Sequence, residues 1–175
     1  GSATAALLAE IAGQTALSSY RVTEPVPFFR RRAERTLPAS HPGVALAFAD
    51  LDLNRPWGSQ GITPGGTDLV WGVNVFHLAR DLDVTLREAY AALAPGAWLV
   101  IGEGIRPTPR TPVGAEFPFQ LLERFADVVL DPHTRPTPGF LTAEHWLAAL
   151  GRAGFTEAAM VPDVVRLRPF NPGFL

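Results

Sequence analysis

Apolar and polar positions alternate along this chain in blocks that predict a regular succession of helices and strands. Short apolar runs bounded by turn residues are typical of buried strands, and apolar residues repeated every three or four positions are typical of helices. The predicted strands are 18–23, 44–49, 68–73, 98–102, 155–161 and 164–167. The predicted helices are 4–11, 28–36, one capped by Asp83, 116–128, and one capped by Thr142 and ended by Gly154. This order predicts an α/β domain with a mostly parallel sheet.

Polar side chains follow four of these predicted strands, at the point where each strand ends. They are Glu24, Asp50, Asn74 and Glu103. The carboxyl ends of parallel strands share one edge of a sheet, which is where open α/β sheets bind ligands. An acidic residue there can accept hydrogen bonds from ribose hydroxyls or from a purine amine, or it can simply lie near a helix N-terminus. The four residues together favour a nucleotide cleft.

His77 lies just past the end of one predicted strand, and Glu103 lies at the end of the next. If the two side chains meet, the carboxylate orients one ring nitrogen and the other can take a proton from a substrate. Spacing alone favours the simpler interpretation, in which His77 is a turn residue and Glu103 a separate carboxylate.

Composition narrows the remaining classes. The chain has 175 residues, is 47% hydrophobic and carries a net charge of −2, so we expect one folded domain without a nucleic-acid partner. Cysteine is absent, which excludes thiolate catalysis and cysteine-based metal sites. No two histidines have metal-ligand spacing, so no metal is expected. The sequence has neither a membrane-length apolar run nor a visible signal peptide, and a cytoplasmic location is expected.

The stretch from Asn74-Val75-Phe76-His77 through Leu93-Ala94-Pro95-Gly96-Ala97 to Glu103 carries a family pattern. It resembles class I S-adenosylmethionine-dependent methyltransferases, most closely the methyltransferase domains of polyketide synthases. Phe76 replaces the usual leucine, and Ala97 replaces the usual second glycine. The segments 20–29, 49–52 and 139–155 are also similar to the family.

The resemblance implies a Rossmann-like, mostly parallel sheet with helices on both faces, and S-adenosylmethionine as the cofactor. It implies that Glu24 holds the ribose hydroxyls, that Asp50 accepts from the adenine amine beside Leu51 and Asp52, and that Asn74 and Val75 line the methionine part. In members that methylate carbon, the residues matching His77 and Glu103 form a catalytic dyad.

The activity expected from this resemblance is methyl transfer to an acidic carbon of an acyl or polyketide-like substrate, either a small molecule or a group bound to a carrier protein. Two alternatives stay open: methylation of a hydroxyl in a small natural product, and a degenerate module without catalysis. The family's first strand and glycine-rich turn would precede Thr4. The chain is therefore expected to be a single methyltransferase domain over 1–175 that is incomplete at its N-terminus. Completeness at the C-terminus and the oligomeric state stay open.

Overall fold

A computed structural model of the chain describes residues 2–11, 17–122 and 124–162. The chain divides into two compact units, Gly1–Arg55 and Pro56–Leu175. No helix in the described ranges is both long and apolar enough to cross a membrane.

The described residues of the first unit form two helices and a pair of parallel strands. Its elements are α1 (Ser2–Ile11), β1 (Tyr20–Thr23), α2 (Pro27–Ser40) and β2 (Leu46–Ala49). β1 and β2 pair in parallel, with Thr23 opposite Ala49 at their carboxyl ends. The core of this unit consists of buried apolar side chains from three of these elements: Leu8, Val22, Ala33 and Leu37. Pro27 occupies the first turn of α2, where its missing N–H costs no helical hydrogen bond.

The second unit contains a parallel strand pair joined through a helix. Its main elements are β3 (Thr67–Val73), α3 (Leu82–Ala92), β4 (Leu93–Gly102) and α4 (Ala143–Ala153). Four short 3₁₀ turns accompany them: Gly58–Gln60, Phe76–Leu78, Gly114–Glu116 and Phe119–Leu121. Val73 is the register partner of Gly102, so β3 and β4 end side by side. This pairing places the residues that follow each strand at one edge.

The helix caps explain where α3 and α4 begin. Thr142 caps α4 by accepting from the His145 N–H, and α4 ends at Gly154 with a φ of 112°, as the sequence predicts. The prediction for α3 was wrong by two residues. Asp81, not Asp83, is the cap and accepts from the Val84 N–H at 3.0 Å. The earlier start places Leu82 inside the helix, where its side chain is buried.

Two other predicted elements were wrong. The described residues of the helix predicted over 116–128 form two short 3₁₀ turns instead, and the backbone at Leu122 is extended. Most of the apolar side chains in this stretch are exposed, so little tertiary packing supports a helix. Phe117, for example, is 70% exposed. The strand predicted over 155–161 does not form, and the one over 164–167 lies outside the described residues. β4 also begins five residues earlier than its predicted start at position 98.

Gly72 in β3 supplies a test of the packing beneath the strand ends. A Cβ at this position would lie 2.9 Å from Cδ2 of the buried Phe76 ring and 3.0 Å from Cγ1 of Val75. We expect Gly72→Ala to lower the free energy of unfolding by about 1–3 kcal/mol through overpacking. Urea denaturation of the full-length protein measures this. Gly58→Ala is the matched control, because its Cβ would have nothing within 4 Å; equal destabilisation by both variants would contradict the packing described here.

Candidate active site

The His77 and Glu103 side chains meet where β3 and β4 end. His77 lies in the 3₁₀ turn Phe76–Leu78, and Glu103 directly follows β4. The Nδ1 atom of His77 is 2.6 Å from Oε2 of Glu103, and the two side chains are only 7% and 2% exposed. The parallel register brings these two positions together although they are 26 residues apart along the chain.

The second carboxylate oxygen of Glu103 binds the main chain of the turn that carries His77. Oε1 accepts from the N–H groups of Val75 at 2.9 Å, Phe76 at 2.8 Å and His77 at 3.4 Å. A buried carboxylate is costly unless its oxygens are hydrogen-bonded, and these contacts satisfy it. Glu103 therefore holds both the ring of His77 and the backbone beneath it.

Asn74 makes this convergence of N–H groups feasible. Its φ of 51° lies in the left-handed region, which asparagine tolerates better than most residues, and its own N–H donates to the Gly102 carbonyl at 2.8 Å. The chain thus stays bonded to β4 through Asn74 and then turns sharply. Successive N–H groups in such a turn can point into one concavity and bind an anion. Here the bound anion is the carboxylate of Glu103.

Glu103 and Phe140 both contact the imidazole of His77. With Nδ1–H donating to Glu103, the neutral ring has Nε2 as its acceptor. The ring of Phe140 lies against the imidazole, with 4.9 Å between ring centroids and a 59° angle between planes. Phe140 is itself held by its main chain, because its N–H donates to Oε1 of Glu116 and its carbonyl accepts from Nε of Arg106.

Arg106 and Glu116 form a buried ion pair next to Phe140. Nη2 of Arg106 donates to Oε2 of Glu116, and Nη1 donates to the Thr111 carbonyl at 3.0 Å. The sequence does not predict this pair, because Arg106 lies outside every predicted element and Glu116 stands at the start of a predicted helix. No periodic pattern marks two charged loop residues that bury each other.

The candidate cofactor residues of the first unit follow its two strands. Glu24 comes after β1, with its N–H donating to the Ala49 carbonyl at 3.0 Å and its Oε1 accepting from the Val26 N–H at 2.9 Å. Asp50, Leu51 and Asp52 follow β2; Leu51 is buried and Asp50 is exposed. Parallel pairing therefore places all four at one end of the β1–β2 pair. In the second unit, Asn74 and Val75 lie directly before the His77 turn.

The described residues contain no group of three or more side chains suited to hold a metal ion. Two other histidines lie in or near α4. Nδ1 of His145 is 2.7 Å from the Thr142 hydroxyl at the start of α4, and His133 is exposed in the loop that precedes this helix.

A sequence-family model described as "Methyltransferase domain" matches residues 1–99, more than half of the chain. The chain belongs to the methyltransferase domain family. This methyltransferase is 33% identical over 144 residues to the polyketide synthase component of lovastatin nonaketide synthase from Aspergillus terreus. The match covers 82% of this chain but only 4% of that synthase.

Two solved structures share the fold of this methyltransferase. The CurJ carbon methyltransferase aligns with a TM-score of 0.65 and 26% identity, over 78% of this chain and 34% of CurJ. The trans-methyltransferase CalH in complex with SAH aligns with a TM-score of 0.62 and 26% identity, over 78% of this chain and 36% of CalH. These findings confirm the predicted α/β, Rossmann-like class, the prediction of a methyltransferase, and the predicted resemblance to S-adenosylmethionine-dependent methyltransferases of the polyketide-synthase type. The roles predicted for individual residues and the domain boundaries stay predictions.

Breaking the Arg106–Glu116 pair should lower the stability of the fold. Arg106→Met leaves a buried carboxylate without its cation, and we expect a loss of about 3–5 kcal/mol in the free energy of unfolding. Arg80→Met is the matched control, because Arg80 pairs with Asp127 on the surface, where such pairs contribute less than about 1 kcal/mol. Denaturant unfolding of both variants measures the two losses in the free energy of unfolding. Similar losses would mean that the buried pair stabilises the fold no more than the surface pair does.

Proposed function

We propose that this methyltransferase transfers the methyl group of S-adenosylmethionine to an acidic carbon of an acyl or polyketide-like substrate, with His77 as the base and Glu103 as its orienting partner. The observation that carries the proposal is the 2.6 Å contact between Nδ1 of His77 and Oε2 of Glu103. A base whose orientation is set by a third group is the usual arrangement for general-base catalysis.

The proposed step begins at Nε2 of His77, which takes a proton from the carbon next to a substrate carbonyl. The electron pair of the broken C–H bond is left on that carbon. When bound, S-adenosylmethionine would supply an electrophilic methyl group on its sulfonium, with S-adenosylhomocysteine as the leaving group, so that the carbon would gain a new C–C bond. Glu103 stabilises the imidazolium that His77 becomes, and it keeps Nε2 directed away from the carboxylate.

Burial supports the same role. His77 is largely shielded from water, and Phe140 covers part of the ring. A water-poor site strengthens the attraction between an imidazolium and its carboxylate, because the local dielectric is low. Glu103 is in direct contact with the ring that becomes charged in the proposed step.

The cofactor residues are proposed from their chemistry and position. In the first unit, Glu24 offers a carboxylate for the ribose hydroxyls, and Asp50, with Leu51 and Asp52 beside it, offers an acceptor for the adenine amine. In the second unit, Asn74 and Val75 would lie along the methionine part. Carboxylates at strand ends suit hydroxyl and amine donors, so these residues fit the group they are proposed to hold.

The carbon acceptor is favoured over a hydroxyl by the likeness to a carbon methyltransferase, and a carrier-bound acyl group by the likeness to a polyketide synthase. The cytoplasmic location and the exclusion of nucleic-acid and membrane partners belong to the same proposal and rest on the sequence.

Mass spectrometry and NMR of the product identify the methylated atom. Methyl transfer to oxygen would overturn the choice of acceptor but leave the base unaffected.

Removal of the base should separate chemistry from binding. We expect His77→Ala to lower kcat by at least about 100-fold, in line with the usual contribution of a general base, with little change in affinity for S-adenosylmethionine. Turnover assays and calorimetry on the full-length protein provide the two measurements. His133→Ala, at an exposed histidine, is the control and should retain full activity. Wild-type turnover in His77→Ala would refute the proposed base.

Glu103→Gln tests the orienting role with minimal change in shape. Both oxygens of Glu103 are acceptors, whereas a glutamine amide has only one acceptor oxygen. The variant must either lose the main-chain contacts of the turn or present N–H₂ to Nδ1 and reverse the tautomer. We expect kcat to fall by about 10- to 100-fold, because misplaced catalytic groups cost this much. An unchanged kcat with intact cofactor affinity would remove Glu103 from the mechanism.

The acceptor pocket is proposed to involve Phe117 and Phe119, whose exposed rings follow the Glu103 strand end along the chain. Substitution of either by alanine should change the ratio of kcat/KM between short and long acyl acceptors by about tenfold, since a few buried methylenes are worth that much. Cofactor affinity should not change. Val84→Ala, at an exposed apolar position of α3, is the control. Unchanged acceptor preference in both phenylalanine variants would exclude these rings from the pocket.

A further inference from the structure

Arg135 is a buried arginine beside the turn that carries His77. It lies in the loop before α4, and only 2% of it is exposed. Its Nη2 donates to the His77 carbonyl at 2.7 Å, and its Nη1 donates to the Ala79 carbonyl. Burial lowers the pKa of Arg135 to about 10, with the charge of Asp81 acting in the opposite direction. The arginine remains a cation at neutral pH, and its charged guanidinium donates hydrogen bonds to two main-chain carbonyls.

A buried arginine is costly, and the acceptors of Nη1 and Nη2 offset part of that cost, whereas Nε has no hydrogen-bond partner among the described residues. The planar guanidinium presents its N–H groups as a rigid fork, which can bind two carbonyls at a set separation. The acceptors here belong to residues 77 and 79, on either side of Leu78. The fork therefore restrains the main chain at the end of the Phe76–Leu78 turn.

The loop that carries Arg135 is anchored in turn. Asp131 and Arg135 exchange two main-chain hydrogen bonds of 2.9 and 2.8 Å. Oδ1 of Asp131 accepts from the N–H groups of His133 and Thr134. Oδ2 of Asp131 is 3.0 Å from Nη1 of Arg152 on α4, and this contact holds the pKa of Asp131 well below its usual range. The position of Arg135 is thereby tied to α4.

We infer that Arg135 is a positioning residue for the proposed base, because it holds the carbonyl side of the His77 turn while Glu103 holds the N–H side. Without the arginine, the turn can rotate about its remaining contacts and carry Nε2 out of line with the substrate C–H bond. The inference rests on the proposed role of His77. It assigns Arg135 no contact with substrate or cofactor.

Proton abstraction can be measured apart from methyl transfer, as exchange of the substrate α-hydrogen for deuterium in D₂O. We expect Arg135→Lys and Arg135→Gln to lower both this exchange and kcat by about 10- to 100-fold, since lysine lacks the fork and glutamine the reach. Affinity for S-adenosylmethionine and acceptor KM should stay within about twofold. Arg87→Lys, at an exposed arginine of α3, should leave every quantity unchanged. A folded Arg135 variant with wild-type exchange would overturn the inference.

Asp131→Ala reaches the same arginine from a partly exposed position and covers the case in which the Arg135 variants fail to fold. It removes the contacts to Arg152 and to the loop N–H groups, so exchange and kcat should fall together by about tenfold. Wild-type exchange in this variant would also overturn the inference.

Failure of the proposed function is distinguishable from failure of the positioning role, because His77→Ala would then retain exchange. If His77→Ala abolishes exchange while the Arg135 and Asp131 variants retain it, only the positioning role is wrong.

Discussion

Four hydrogen bonds converge on the buried carboxylate of Glu103, and the ends of β3 and β4 are arranged around it. An unsatisfied carboxylate at this depth would cost several kcal/mol, so the chain after β3 must deliver donors to it. The left-handed Asn74 starts the turn that does so, and the strand register sets the distance. The position of His77 therefore follows from the need of the Glu103 carboxylate for hydrogen-bond donors.

His77 is restrained from three directions, each by a different kind of contact. Glu103 binds Nδ1 of its ring and the N–H groups of its turn, Arg135 binds its main-chain carbonyl, and the ring of Phe140 lies against its imidazole. Phe140 depends on the Arg106–Glu116 pair, and Arg135 depends on Asp131 and α4. Several loop segments of the second unit thus converge on one residue. A residue held in this way keeps a single orientation at little entropic cost to the reaction.

The sequence predicts the structure correctly where a regular helix or strand determines the position of a residue. The apolar runs before Asn74 and Glu103 predicted both strands, and the crossover helix between them placed the two strand ends together. The predictions were wrong where tertiary contacts override the local pattern of apolar and capping residues. Asp81 and Asp83 are both suitable caps, but Leu82 is buried inside the helix that begins after Asp81, and Asp83 pairs with Arg152. The apolar spacing after Glu116 is helical, yet most of the apolar side chains there are exposed, and Glu116 turns inward to Arg106.

Arg135 binds atoms that every amino acid possesses. Replacing Leu78 or Ala79 by other residues leaves the acceptor carbonyls in place, so no matching substitution needs to accompany a change in the turn. Pairwise covariation between the two segments would therefore carry little trace of this contact. The dependence is also one-sided: variation in the turn is tolerated chemically, whereas loss of the arginine has no partner substitution that restores it.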